Sequence, residues 1–250
     1  MTVQHQHESD HRSNTDDYLF EQIDNTGSVS LLDTTLSLSQ PLLFRSLTRA
    51  IEDSPQGHAK RYLDIFVALV LLLIASPLML SVAALIWLST LGRDPVFYRQ
   101  LRVGYEGLEF YVLKFRSMRT DAEKEGARMA AKNDDRVTRI GRFIRKTRID
   151  ELPQLLNVLR GDMSLVGPRP ERPEFVSKFE DEIEGYAYRH QVKPGITGLA
   201  QVSYPYGDSV EDAANKLFYD LTYVRKNSVG FDLKILLKTI PVVLTGHGAR

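Results

Sequence analysis

Residues 65–91 read IFVALVLLLIASPLMLSVAALIWLSTL, 27 positions without a charged side chain, interrupted only by Ser76, Pro77, Ser81, Ser89 and Thr90. As one straight helix the run would be about 40 Å long, more than the roughly 30 Å hydrocarbon core of a bilayer. Pro77 falls near the middle, where it removes one backbone donor and sets its ring against the carbonyl of Leu73, while Ser76 can restore part of the lost bonding. The break leaves two arms of about 18–21 Å each. Lys60 and Arg61 precede the run and Arg93, Arg99 and Arg102 follow it, so the positive-inside rule wants both ends on the cytoplasmic side. A helix that enters and leaves by one face meets that demand, with Tyr62 and Trp87 as interfacial anchors. A Pro-kinked single span is the alternative, and the residues alone leave both open. Either way the run predicts a membrane protein.

Before the run, residues 1–59 are polar, and residues 1–40 lack a sustained apolar period, which predicts a largely disordered segment. His5, His7 and His11 match no defined metal-site spacing, and no signal-peptide pattern opens the chain. The 250 residues carry 32 basic and 32 acidic side chains, but residues 1–60 hold nine acids against four bases, which leaves an excess of +5 for the remainder. That part should attract anions. With no cysteine, disulfides, thiolate nucleophiles and Cys-ligated metals are excluded, so any chemistry must come from other side chains.

After Gly92 the pattern turns globular. Val96–Gln100 and Leu108–Phe115 read as two strands joined through Gly104–Gly107, a small β-hairpin. Asp121–Lys132 and Arg136–Lys146 read as helices, and Leu152, Leu155, Leu156 and Leu159 sit at i, i+3, i+4 and i+7 of a third that Gly161 should end. Further helices follow over Pro173–Gly185, Ser209–Lys226 and Phe231–Leu244. The last is too short to span and suits either an interfacial position or a core with two solvated lysines. The expected fold class is α+β and membrane-associated: a re-entrant helical hairpin over residues 60–92, broken at Ser76-Pro77, plus a mostly helical cytoplasmic catalytic domain over residues 93–250.

Candidate chemistry lies in that last part. Arg136, Arg139, Arg142, Arg145 and Arg148 recur at spacing three, a stripe fit for phosphates or simply a solvated face. Directly after it, Asp150 and Glu151 stand at the start of the leucine-periodic helix, where acids stabilise the macrodipole. Their arginine-rich surroundings should lower carboxylate pKa and favour added phosphate, which suits one acid as a nucleophile toward phosphorus and the other as a Mg²⁺ ligand. Pro168, Pro170 and Pro173 stiffen a loop that presents Arg169, and Lys114 and Arg116 end the second predicted strand. Lys193–Gly198 is turn-rich and either lines a pocket or reverses the chain.

In combination, Ser76-Pro77 inside an apolar run, Lys114-Phe115-Arg116-Ser117-Met118, Asp150-Glu151-Leu152-Pro153-Gln154, Gly161–Pro170 and Lys193-Pro194-Gly195-Ile196-Thr197-Gly198 resemble the bacterial sugar transferase family of monotopic phosphoglycosyl transferases. The resemblance covers residue 60 to the C-terminus. It implies transfer of a sugar 1-phosphate from a UDP-sugar to undecaprenyl phosphate, with release of UMP, at the cytoplasmic face of a bacterial inner membrane. Asp150 corresponds to the nucleophile and Glu151 to a Mg²⁺ ligand, with Asp150 beside it. Lys114 corresponds to the essential lysine, Arg145 and Arg169 to phosphate-binding arginines, and Arg116 joins them as a substrate-binding candidate. The resemblance also favours the re-entrant topology. Arg148 departs from the pattern, which usually has a small hydroxyl residue there.

Inner-membrane lipids are expected partners and nucleic acid is not; self-association and contact with downstream glycosyltransferases stay open. Two other readings compete: a membrane-tethered basic adaptor for anionic lipid or nucleic acid, and direct transfer in a ternary complex without a covalent intermediate.

Overall fold

The computed structural model describes residues 58–124, 126, 134–205, 207 and 209–245. The N-terminal segment up to residue 57, with His5, His7 and His11, lies outside them, as does most of the helix expected over Asp121–Lys132. Asp121–Lys124 form turns.

Helix α1 runs from His58 to Ser89 with Pro77 inside it. Proline leaves the carbonyl four residues back without its amide partner. Ser76 Oγ donates to that carbonyl, Leu73 O, at 2.9 Å, and Ser81 Oγ donates to Pro77 O at 2.8 Å. The expected break at Ser76-Pro77 is therefore a repaired gap in the hydrogen-bond ladder, and the helix is continuous across it. Burial divides α1 more sharply than the proline does. Lys60, Asp64 and Ala68 are buried at one end and Val82 and Ile86 at the other, while none of residues 69–81 is.

Both ends rest on the same globular body. Strands β1 (Phe97–Val103) and β2 (Glu109–Phe115) form the expected antiparallel hairpin, in register from Phe97 opposite Phe115 to Val103 opposite Glu109. Phe115 joins Val82 and Ile86 of α1 and Ile144 of helix α2 (Arg139–Lys146) in one apolar cluster. Thr138 caps α2 by accepting from the Gly141 amide at 2.8 Å. Gly141 lies so close to the Ser117 carbonyl that any Cβ there would collide with it, which fixes α2 against the end of β2.

The chain then makes a short 3-10 turn, Ile149–Glu151, and helix α3, Gln154–Arg160, which Gly161 ends in the left-handed conformation (φ 98°) that glycine favours. The first end of α1 is held here by polar contacts. Arg61 donates to the terminal carbonyls of α3, Val158 O at 2.5 Å and Leu159 O at 2.7 Å. Asp64 accepts from Ser164 Oγ and the Leu165 amide in strand β3 (Ser164–Val166). Lys60 forms a buried ion pair with Asp232.

The short strand β3 was not expected from the sequence. It pairs in parallel with β4 (Gly195–Thr197), and the backbones of Gly167 and Gly195 come too close for a side chain at either. Lys193–Gly198, expected either to line a pocket or to reverse the chain, instead holds the short strand β4 and is not among the residues lining the cavity described below. Helix α4 (Pro173–Glu182) starts on its proline as expected. A 3-10 segment (Tyr186–Gln191) and short helix α5 (Leu199–Ser203) precede helix α6 (Val210–Lys226), which a Ser209/Asp212 capping box opens.

Helix α7 (Val229–Thr245) combines features of the two alternatives posed for Phe231–Leu244. Phe231, Asp232 and Ile235 are buried, whereas Leu233, Leu237, Ile240 and Val243 form an exposed apolar stripe.

Candidate active site

A cavity of about 500 Å³ opens between the end of β2, the Ile149–Glu151 turn, the Pro168–Pro170 loop and helices α4 to α6. Lys114, Arg116, Arg145, Asp150, Glu151 and Arg169, all singled out from the sequence, line it. Folding therefore brings together residues spread over more than fifty positions of the chain.

Glu151 is the hub. Lys114 Nζ donates to its Oε1 at 3.0 Å, and Arg169 reaches Oε1 at 2.5 Å and Oε2 at 3.4 Å. Burial works to raise the Glu151 carboxyl, but the Arg169 guanidinium and the Lys114 ammonium outweigh it and hold the group well below the usual carboxylate range. Asp150 behaves oppositely. Burial, and then the neighbouring Glu151 charge, push its carboxyl up to about 6 against the pull of Lys114, Arg145 and Arg169. The expectation that the arginine-rich setting lowers both acids thus holds for Glu151 alone. Both acids also sit in a 3-10 turn of their own, ahead of Pro153 and α3, and not in the helix's first turn.

The cations are held in different ways. Arg169 rides on a loop pinned from behind: Arg189 Nη2 donates to the Arg169 carbonyl at 2.9 Å and Arg102 Nη1 to the Pro170 carbonyl at 2.9 Å. Arg189 is itself fixed by Asp220, at 2.7 Å and 3.0 Å, and by the Tyr186 hydroxyl at 3.0 Å. Arg116 lines the cavity, but its guanidinium donates to the Pro95 carbonyl at 2.8 Å and lies over the Tyr98 ring. That geometry braces the start of β1 more than it serves the acids.

The arginine stripe splits. Arg145, Arg148 and Arg136 line the cavity, whereas Arg139 and Arg142 are exposed elsewhere. Arg136 is engaged by Asp134 through Nε at 2.8 Å and Nη2 at 2.5 Å.

Arg148 follows Thr147, the C-cap of α2, and takes the left-handed conformation (φ 56°, ψ 14°). Its amide donates to Arg145 O and its carbonyl accepts from the Glu151 amide, which turns the chain from α2 into the acidic turn. Glycine ordinarily fills such a position, and an L-residue there costs about 1–2 kcal/mol.

Sequence reasoning missed the loop supports Arg102, Arg189 and Asp220, whose contacts with the loop and with one another span 20 to 68 residues. It also missed Tyr98 and Arg172, which both bond Glu123 at the cavity rim, at 2.9 Å and 2.7 Å. A buried Asp–Arg pair has no local signature; only the aromatic and charged residues inside otherwise apolar helices hint at it.

Adjacent carboxylates facing a cavity able to take phosphates form a donor set that Mg²⁺ accepts, since that ion is held by one or two carboxylates plus substrate oxygens. No third histidine, aspartate or glutamate joins them as a metal cluster among the described residues.

Comparison with known proteins gives one family, described as bacterial sugar transferase, which matches residues 55–246. The chain is 49% identical over 191 residues to a UDP-N-acetylgalactosamine-undecaprenyl-phosphate N-acetylgalactosaminephosphotransferase of Aeromonas hydrophila, covering 76% of this chain and 45% of that protein. It is 40% identical over 222 residues to a UDP-glucose:undecaprenyl-phosphate glucose-1-phosphate transferase of Escherichia coli, covering 88% and 44% respectively. An undecaprenyl-phosphate galactose phosphotransferase of Salmonella typhimurium is 40% identical over 233 residues, at 87% and 47%. The chain spans less than half the length of each of these three relatives.

Proposed function

The chain belongs to the bacterial sugar transferase family, and from that premise we propose that it transfers a sugar 1-phosphate from a UDP-sugar to undecaprenyl phosphate. The observation that carries the reading is the asymmetric acid pair: Glu151 paired with Lys114 and Arg169, chiefly through Oε1, and Asp150 beside it, facing the cavity with a raised pKa.

Asp150 is the nucleophile. One carboxylate oxygen attacks the sugar-bearing β-phosphorus, the bond from that phosphorus to the bridging oxygen breaks, and UMP leaves with the electron pair. A phosphate oxygen of the lipid then attacks the same phosphorus, and the bond to Asp150 breaks. Product and free carboxylate result. Lys114, Arg145 and Arg169 offset the charge gathered at phosphorus, and the pinned Arg169 loop does so with little reorganisation. Mg²⁺, held by Glu151 and Asp150, would add further charge neutralisation when bound.

Helix α1 serves as a re-entrant anchor in the inner membrane, its globular body on the cytoplasmic side. Supporting this, both ends of α1 are buried against one body while residues 69–81 between them are not. Cysteines introduced at Arg61 and Arg99 should be labelled from the same side; labelling from opposite sides would exclude the re-entrant arrangement.

The activity test is UMP release by purified protein with undecaprenyl phosphate, Mg²⁺ and a panel of UDP-sugars. Turnover with at least one donor is expected. Absence of turnover with every donor, together with anionic-lipid binding that survives loss of both acids, would leave the adaptor reading instead.

A further inference from the structure

We propose that Arg148 is a phosphate-holding residue of this site, an additional guanidinium set to grip a substrate phosphate beside Asp150; the inference rests on the transfer reading above. Three observations meet at this residue. It lines the cavity that holds the acid pair. Its charge is felt by Glu151, Asp150 and Arg169, while burial makes its ionised form harder to maintain. Lastly, it occupies the left-handed position at the end of α2 where a glycine would be unstrained.

Strained backbone of this kind clusters at active sites and ligand clamps, and of the left-handed non-glycine residues among those described, Leu91, Glu106 and Arg148, Arg148 is the one that lines the cavity. Arginine offers a planar fork that grips phosphate through two parallel hydrogen bonds, and it stays charged when partly desolvated. The charges at the site also leave a role for it. Lys114 and Arg169 each pair with Glu151. The two substrates together bring a diphosphate and a phosphate monoester, so these two cations must divide their charge between Glu151 and the phosphates. Arg148 lies three residues beyond Arg145 and two before Asp150, and lines the same cavity as both.

The test compares the full chain in detergent with its Arg148→Asn and Arg148→Lys variants; asparagine tolerates the left-handed backbone and lysine keeps the charge without the fork. Calorimetric titration with inorganic pyrophosphate reads binding without turnover, so it is informative even if no UDP-sugar proves to be a donor. The dissociation constant should rise about tenfold in the asparagine variant and less in the lysine variant, with the melting temperature unchanged or higher. Steady-state kinetics then assign the phosphate: a rise confined to the KM of the UDP-sugar places Arg148 on the donor, and one confined to the KM of undecaprenyl phosphate places it on the acceptor. Pyrophosphate binding and both KM values within twofold of the parent chain would overturn the proposal. If Arg148→Asn does not fold, Arg148→Lys alone decides it, with a threefold weaker pyrophosphate affinity expected and an unchanged one overturning it.

Discussion

The molecule buries charge in two places and treats it differently in each. At the root of α1, Lys60 pairs with Asp232, which also accepts from the Tyr223 hydroxyl, while Asp64 accepts from Ser164 and the Leu165 amide. At the cavity, Glu151 is equally well satisfied, but Asp150 sits beside it with a carboxyl pushed up to about 6. The first arrangement leaves no capacity for a ligand. The second pairs one acid with two cations, chiefly through Oε1, and leaves the other facing the cavity. Burial raises the Asp232 carboxyl as well, so the difference lies in placement: Asp232 is closed in by Lys60 and Tyr223, whereas Asp150 lines the open cavity where a substrate can reach it.

The sharpest way to break this distinction is Asp150→Asn. It keeps the shape of the side chain and removes the attacking charge, so turnover should fall at least about 10⁴-fold while the melting temperature stays within a degree or two. Incubation of the parent chain with UDP-sugar and Mg²⁺, without lipid, should leave a phosphosugar on the peptide that contains Asp150, read by mass spectrometry. If an active preparation gives no adduct and its bisubstrate kinetics show intersecting lines, direct transfer in a ternary complex replaces the covalent route.

The converse effect belongs to the root of α1. Lys60→Met strands Asp232 in a buried site and should cost about 3–5 kcal/mol of stability, whereas pairing it with Asp232→Leu should recover most of that loss. Denaturant unfolding in detergent measures both, and the folded fraction of either variant should retain its specific activity. Activity lost in proportion to ligand affinity, with stability intact, would mean that this pair belongs to the site after all.

Third in size are the cations on Glu151. Neutralising Lys114 or Arg169 should cost about 2–4 kcal/mol of transition-state stabilisation, read as kcat/KM, because each acts on charge that develops during transfer. Neutralising Arg139 or Arg142, exposed and away from the cavity, should change kcat/KM less than about twofold, as surface charges do. Equal losses at all four positions would reduce the site to a diffuse basic surface.

How much of this was legible beforehand follows the range of the interactions involved. The hairpin of β1 and β2, the stop at Gly161 and the acid pair all depend on neighbours in sequence, and a local pattern displays them. Lys60 and Arg61 were legible as cations flanking an apolar run, but not as residues that reach the carbonyl of Val166 and the end of α3, about a hundred positions away. Strands β3 and β4 are three residues each and exist because glycine backbones from distant segments meet; no alternation of apolar residues announces that. The opposite pKa shifts of Asp150 and Glu151 were hidden for the same reason. Adjacent in sequence, they differ in which of them Arg169 and Lys114 contact.

The smallest effect asks whether the distinction extends to a buried group that carries no charge at all. His190 stands beside Arg189, with Tyr186 edge-on to its ring and Glu180 at 4.0 Å from Nδ1. Burial, and then the Arg189 charge, push its pKa down to about 4 from the ordinary 6.5. Between those values the unfolded chain binds a proton that the folded chain does not, so stability is complete above pH 6.5 and declines as the pH falls. At pH 5.5 the loss should be about 1 kcal/mol, and it should grow further toward pH 4. Melting curves at pH 7.5, 6.5 and 5.5, taken on the parent chain and on His190→Gln, check it: the difference between the two should narrow as the pH falls, since glutamine cannot titrate. A difference that widens instead would show that Glu180 captures His190 as an ion pair in acid, and that the root of α1, not the cavity, is the right analogy for this residue.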